Sequence, residues 1–63
     1  MKAIFEFKNK NYILPLTKLY SYILKKDGLK TLIPRLKKEV WTNLKLRGEN
    51  VTISEIKFKG INN

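Results

Sequence analysis

Hydrophobic and polar positions alternate over residues 2–8, at the start of the chain. Ala3, Phe5 and Phe7 share one side of this segment, and mostly polar residues occupy the other side. A period of two with aromatic residues on one side predicts a half-buried β-strand. The segment Asn9-Lys10-Asn11 predicts a turn after it, because asparagine tolerates left-handed backbone angles.

Residues 12–16 predict a second strand that closes a hairpin with the first. Pro15 lies within this segment and has no N–H to donate to a neighbouring strand. We therefore expect the second strand to lie at an edge of the sheet or to end at Pro15.

The next segment predicts a short helix with a wide apolar surface. Thr17 is a suitable N-cap, and the helix is expected to cover residues 18–26 and to stop at Asp27-Gly28. Its apolar side chains occupy more than half of the helix circumference, whereas an ordinary surface helix has a narrower stripe. We expect this helix to be sandwiched inside the domain or half covered by another chain. The apolar residues are Leu19, Tyr20, Tyr22, Ile23 and Leu24.

A second, amphipathic helix is predicted from Thr31 or Leu32 to Leu46. Pro34 is expected in its first turn, where the missing N–H costs little, and Gly48 is expected to end it. The predicted core stripe consists of Ile33, Leu36, Val40 and Leu44. The opposite, outer arc holds Arg35, Lys38, Thr42 and Lys45.

The last apolar segment, residues 51–58, allows two predictions. Its abundance of Val, Thr, Ile and Phe favours a strand, with a bulge near Ser54-Glu55 because the alternation changes phase there. The alternative is a helical turn that starts at Thr52, since Thr52 and Glu55 have the spacing of a capping box. Residues 59–63 are expected to form a frayed tail.

The predicted order of elements is therefore strand–strand–helix–helix–strand. Such an order indicates a small α+β domain with two layers, in which the last strand joins the hairpin in a three-stranded antiparallel sheet. The 63 residues are sufficient for one small domain, residues 1–63.

Cysteine and histidine are both absent from the chain. Disulfides and the usual zinc ligands are therefore excluded, as are thiolate nucleophiles and imidazole bases. The five acidic residues are scattered without a paired motif. We expect no cofactor, no metal and no enzymatic activity, and self-association is the remaining way to stabilise so small a core.

Positive charge is concentrated in the helical stretch. The chain has a net charge of +9, and residues 17–47 carry seven of those nine charges. A strong field of one sign predicts a polyanionic or acidic partner, and its clustering indicates where that partner would bind. The candidate phosphate-contacting residues are Lys25, Lys26, Lys30, Arg35, Lys37, Lys38, Lys45 and Arg47.

Trp41 lies at the margin of the predicted core stripe and is flanked by lysines. Its indole could stack on a base of single-stranded nucleic acid, or it could cap the core, because tryptophan is usually mostly buried. A helix–turn–helix motif fits poorly, since Pro34 and Lys37 fall where its second helix should be continuous and apolar.

We hypothesise a small, non-enzymatic nucleic-acid-binding protein, a regulator or accessory factor such as phages and mobile elements encode. It would contact the phosphate backbone of DNA or RNA, with limited base recognition because arginine occurs only twice. The alternative is an inhibitor or adaptor that docks on an acidic surface of a host protein, which the wide apolar surface of the first helix favours.

We also predict a homodimer. Tyr20 and Leu24 lie on the side of the first helix away from Tyr22, and one short helix is not expected to bury both sides in a two-layer domain. Pairing of two copies through Tyr20 and Leu24 would bury that patch.

Membrane association is not expected. No segment approaches the roughly 18 uncharged apolar residues of a membrane span, and the N-terminal residues lack the pattern of a secretory signal. The sequence thus predicts a soluble, cytoplasmic protein.

Overall fold

The computed structural model describes residues 1–62. A three-stranded sheet forms one layer, and two helices packed on one of its faces form the other. In chain order the elements are β1 (Lys2–Phe7), β2 (Lys10–Pro15), α1 (Lys18–Asp27), α2 (Leu29–Leu46), a 3₁₀ turn (Ile53–Glu55) and β3 (Lys57–Asn62). β1 is central and pairs antiparallel with both β2 and β3. The predicted α+β class, the order of elements and the three-stranded antiparallel sheet are confirmed.

The core lies between the helices and the inner face of the sheet. Ala3, Phe5 and Phe7 of β1 are buried, as their alternation predicted. Phe58 of β3 packs edge-to-face on Phe5, with ring centroids 5.4 Å apart. The core is completed by Ile23, Leu32, Leu36, Val40, Leu44, Val51 and Ile56. The outer face of the sheet remains open, and it carries Lys2 and Glu6 of β1 together with the apolar side chains of Ile4 and Ile13.

The turn between β1 and β2 contains two residues, Lys8 and Asn9. Both have positive φ angles, 51° and 63°, as in a type I′ turn, whose twist matches that of the strands it joins. The turn predicted at residues 9–11 is therefore displaced toward the N-terminus, because Lys10 and Asn11 already pair with β1.

β2 is an edge strand, as its proline predicted. The backbone N–H of Leu16 donates to the Met1 carbonyl at 3.0 Å, and hydrogen-bonded pairs alternate with non-bonded pairs in an antiparallel ladder. Pro15 pairs with Lys2, which is one of the non-bonded pairs, so an N–H at Pro15 would have pointed away from the sheet. Proline at this position therefore costs the sheet no hydrogen bond.

α1 begins where the sequence predicted and ends one residue later, at Asp27. The hydroxyl oxygen of Thr17 accepts a hydrogen bond from the backbone N–H of Tyr20 at 3.2 Å. Gly28 ends the helix with a φ of 85°, which glycine adopts without strain. Gly28 alone separates the two helices, so α2 starts immediately after it.

α2 starts at Leu29, before the predicted start, so Pro34 lies inside the helix rather than in its first turn. A proline there removes the hydrogen bond to the Lys30 carbonyl, a loss that typically costs about 3 kcal/mol. The helix that starts at Leu29 also buries Leu32 completely, and this burial offsets the cost of Pro34. Leu32 thereby replaces Ile33, which is only half-buried, in the predicted core stripe.

The residues after α2 form a 3₁₀ turn where a bulged strand was favoured. The backbone N–H and the hydroxyl of Thr52 both donate to Oε1 of Glu55, each at 2.9 Å. The prediction of a strand was therefore wrong for residues 51–56 and correct for Lys57 and Phe58, which belong to β3. The alternative turn at Thr52 is confirmed. These local hydrogen bonds outweigh the β propensity of the neighbouring residues.

β3 runs from Lys57 to Asn62. Residues 59–62, which the sequence assigned to a frayed tail, thus belong to the sheet, and Asn63 lies outside the described residues. The pairing with β1 shifts by one residue at Lys59, which is a β-bulge.

Candidate polyanion-binding surface

The predicted phosphate-contacting residues all lie on the helical layer. Lys25 and Lys26 are in the last turn of α1, and Arg47 follows the last residue of α2. The others, within α2, are Lys30, Arg35, Lys37, Lys38 and Lys45. Seven of these eight side chains are exposed, and Lys37 is half-buried. The helices therefore present most of the positive charge of the chain to solvent.

These cations are not neutralised by neighbouring acids. In residues 1–62, the one salt bridge joins Lys59 to Glu6, on the open face of the sheet, at 3.9 Å. Glu39 is the one acid of α2, and its Oε1 accepts a 3.0 Å hydrogen bond from the Tyr20 hydroxyl of α1. The positive field of the helical layer is therefore largely uncompensated.

Arg35, Lys38 and Lys45 form a row along the outer face of α2. All three are exposed, and at 1.5 Å per residue the row extends about 15 Å along the helix axis. Duplex DNA carries one phosphate charge per about 1.7 Å of its axis. The row is therefore long enough to contact several phosphates at once.

The structure does not bring all eight cations into one flat patch. Arg47 lines grooves of about 320 and 390 Å³ between the end of α2 and the β1–β2 hairpin, where Tyr12 is its neighbour. Lys37 lies about 40° around α2 from Trp41, on the flank away from α1. The cations are thus spread around the helical layer. The row of Arg35, Lys38 and Lys45 on α2 is the most continuous group among them.

A groove of about 500 Å³ runs between the two helices beside this row. Arg35 and Lys38 line it from α2, and Tyr20 lines it from α1. Burial of Tyr20, its hydrogen bond to Glu39 and the charge of Glu39 raise the pKa of the Tyr20 phenol, while the charge of Arg35 opposes them. Tyr20 therefore stays protonated at neutral pH and holds the Glu39 carboxylate against α1.

Trp41 has a structural role. Its indole N–H donates to the Val51 carbonyl at 3.0 Å, and its half-buried side chain packs against the core. The ammonium of Lys45 lies over the ring, 4.9 Å from its centroid. Trp41 thus ties the segment after α2 to the helix. Base stacking by Trp41 stays a hypothesis, and it would require Lys45 to move.

Tyr20 and Leu24, predicted to contact a second copy, are partly buried against the core of their own chain. The exposed apolar residues of α1 are Leu19 and Tyr22, with 62% and 58% of their surface accessible. The wide apolar surface of α1 is therefore divided between its own core and solvent. Homodimer formation stays a prediction, and so does the contribution of Tyr20 and Leu24, which are only partly buried within the single chain.

Tyr22 is a surface residue, although the sequence pattern places it among the apolar residues of α1. Lys18 and Lys26 lie one helical turn before and after it, and Nζ of Lys26 is 3.3 Å from its hydroxyl. Lysines at i−4 and i+4 share a helix face with the residue between them. That spacing could have placed Tyr22 on the polar face of α1 from the sequence alone.

Comparisons with protein-family models, with curated proteins and with solved structures find no significant match to this chain. Neither helix of the described chain is long and apolar enough to cross a membrane. Over the same residues, 1–62, no three acidic side chains come together in a way that could hold a metal ion. Function is therefore inferred from the charge and geometry of the helical surface.

Proposed function

We propose that the protein is a small, non-enzymatic nucleic-acid-binding protein that contacts the phosphate backbone through its helical layer. The observation that supports this most is the exposed row of Arg35, Lys38 and Lys45, none of which forms a salt bridge within residues 1–62. Each phosphate that such a cation neutralises releases condensed counterions, which favours binding at low salt.

Binding would depend little on base sequence. Lysine acts as a point charge toward phosphate, whereas arginine is the side chain suited to bidentate base contacts. Arg35 and Arg47 are the two arginines of the chain, and they lie on different parts of the helical layer. Such binding suits a regulator or accessory factor that acts in the cytoplasm.

The dependence of affinity on salt tests this proposal. Fluorescence anisotropy with a labelled duplex would measure the binding constant between about 50 and 300 mM salt. If six of the eight cations contact phosphates, the slope of log K against log salt should be close to about −5. A slope shallower than about −2, or no binding at about 50 mM salt, would contradict the proposal.

Exposed apolar residues among the cations favour a second candidate, an inhibitor or adaptor that binds an acidic surface of another protein. Leu46 is 81% exposed, and Leu19 and Tyr22 add apolar surface on α1. Protein interfaces combine apolar contacts of this kind with charge complementarity. If the protein binds neither single-stranded nor duplex nucleic acid at low salt, this candidate is favoured.

A further inference from the structure

The exposed face of α1 carries an aromatic ring surrounded by cations. Tyr22 is 58% exposed. Lys18, Lys25 and Lys26 lie at i−4, i+3 and i+4 from it, within about 60° around the helix. Leu19, at i−3, adds exposed apolar surface on the same side. This face therefore combines a flat apolar surface with three positive charges.

The lysine that contacts Tyr22 does not cover its ring. Nζ of Lys26 is 3.3 Å from the Tyr22 hydroxyl and 5.5 Å from the ring centroid. A nitrogen above the middle of the ring would be nearer to the centroid than to the hydroxyl. The ammonium of Lys26 therefore lies at the hydroxyl end, and it adds a charge beside the ring faces rather than above them.

Acidic groups of the helix do not oppose an anion on this face. Asp27 is the one acid of α1, and at about 100° per residue it lies about 140° around the helix from Tyr22. Trp41 is the other aromatic residue among lysines, but unlike Tyr22 it is held in place by the backbone and has one ring face covered. Its N–H is bonded to the Val51 carbonyl, and Lys45 lies over its ring.

We infer that Tyr22 stacks on a base of single-stranded DNA or RNA while Lys18, Lys25 and Lys26 contact the adjacent phosphates. The inference rests on the proposed nucleic-acid binding and specifies its substrate class. Bases inside a duplex are stacked on each other, so only an unpaired segment offers a face to Tyr22. Any base would be accepted, because every base has a π face.

The test compares a single strand of about twelve nucleotides with a duplex of the same length. Tyr22→Ala should weaken binding of the single strand by about five-fold to about 150-fold, the range typical of base–aromatic stacking. Duplex affinity should change by less than about two-fold, because all the cations remain. Tyr22→Phe keeps the ring and should bind both ligands like the parent protein.

A charged substitution separates stacking from electrostatics. Tyr22→Lys adds a cation and removes the ring, so it should tighten duplex binding while it weakens binding of the single strand. Leu46→Ala is the matched control, because it removes an exposed apolar side chain from the other helix. It should alter neither affinity.

The two proposals fail in different ways. If Tyr22→Ala affects both ligands equally or neither of them, or if Tyr22→Lys tightens binding of the single strand, the stacking inference is overturned and the proposed function stands. If the parent protein binds neither ligand at about 50 mM salt, the proposed function is overturned, and the inference falls with it.

Discussion

The hydroxyl of Tyr20 donates a 3.0 Å hydrogen bond to Oε1 of Glu39, and this bond joins α1 to α2. Glu39 is the one acid among the cations of α2. In the part of the chain that the structure describes, its carboxylate forms no salt bridge with them. The contact thus ties the two helices together and holds the Glu39 side chain in the groove that Arg35 and Lys38 also line.

Removal of the Tyr20 hydroxyl should destabilise the protein. Tyr20→Phe leaves the Glu39 carboxylate without its donor, and we expect the free energy of unfolding to fall by about 1–2 kcal/mol. Urea denaturation measures this change. Tyr22→Phe is the matched control, because it removes an exposed hydroxyl from the same helix and should cost less than about 0.5 kcal/mol. Equal stability of the two variants would show that the bond between the helices contributes nothing net.

Charge reversal of the row on α2 should abolish nucleic-acid binding without unfolding the protein. Arg35→Glu, Lys38→Glu and Lys45→Glu together change three exposed side chains. Loss of the contact between Lys45 and Trp41 should cost about 0.5–1 kcal/mol. Anisotropy would measure the affinity, and circular dichroism with thermal melting would verify the fold.

A second triple reversal, of Lys2, Lys57 and Lys59, is the control for total charge. These lysines belong to the sheet layer, and the variant changes the net charge by the same amount. It should lose much less affinity, because charges beyond about 10 Å are largely screened at about 0.1 M salt. Equal losses in the two variants would indicate that net charge alone drives binding and that the row is not the contact surface.

Substitution of Trp41 should affect stability more than binding. Trp41→Leu removes the donor to the Val51 carbonyl and part of the core packing, so we expect a loss of about 2–3 kcal/mol in the free energy of unfolding. Denaturant titration measures it. Affinity for single-stranded nucleic acid, measured where the variant is folded, should be unchanged. A loss of about tenfold or more would instead assign base stacking to Trp41.

The 3₁₀ turn should weaken in acid. Hydrogen bonds from the backbone and the side chain of Thr52 lower the pKa of the Glu55 carboxyl. The resulting stabilisation is complete above the ordinary glutamate pKa of about 4.3 and is lost as the pH falls through the lower folded-state value. The stability difference between the parent and Glu55→Gln should therefore be largest near neutral pH and should vanish in strong acid.

Glu49→Gln makes the same chemical change a few residues earlier and controls for the loss of one negative charge. Unfolding curves of the three proteins between about pH 2 and 7 provide the comparison. A difference between the parent and Glu55→Gln that persists at about pH 2 would show that its origin is not the charged carboxylate.

Elements with local determinants were predictable from the sequence. The alternation of Phe5 and Phe7 defined β1, Thr17 and Gly28 defined the ends of α1, and Pro15 placed β2 at an edge. Each of these features acts within a few residues, through side-chain period, capping or a missing N–H. Seven of the eight candidate cations are exposed, as expected from general chemistry, because lysine and arginine are rarely buried.

Features that depend on distant partners were not predictable in this way. The hydrogen bond from Tyr20 to Glu39 joins residues of two helices, so it depends on how α1 and α2 pack against each other. The burial of Leu32 likewise offsets the cost of Pro34 inside a helix. Its extent depends on the packed core, so the early start of α2 could not be predicted from the local sequence. The distribution of the cations around the helical layer also follows from packing rather than from their order in the chain.

The two edges of the sheet limit how copies of this protein can associate. On the β2 edge, the row of outward-facing peptide groups ends at Pro15. On the β3 edge, the bulge at Lys59 and the charge of the Lys59 side chain interrupt the row. Continuous free edges are templates for aggregation and amyloid growth, and prolines, bulges and lysines suppress them. Copies crowded together at high concentration should therefore remain separate domains and should not merge into a fibril.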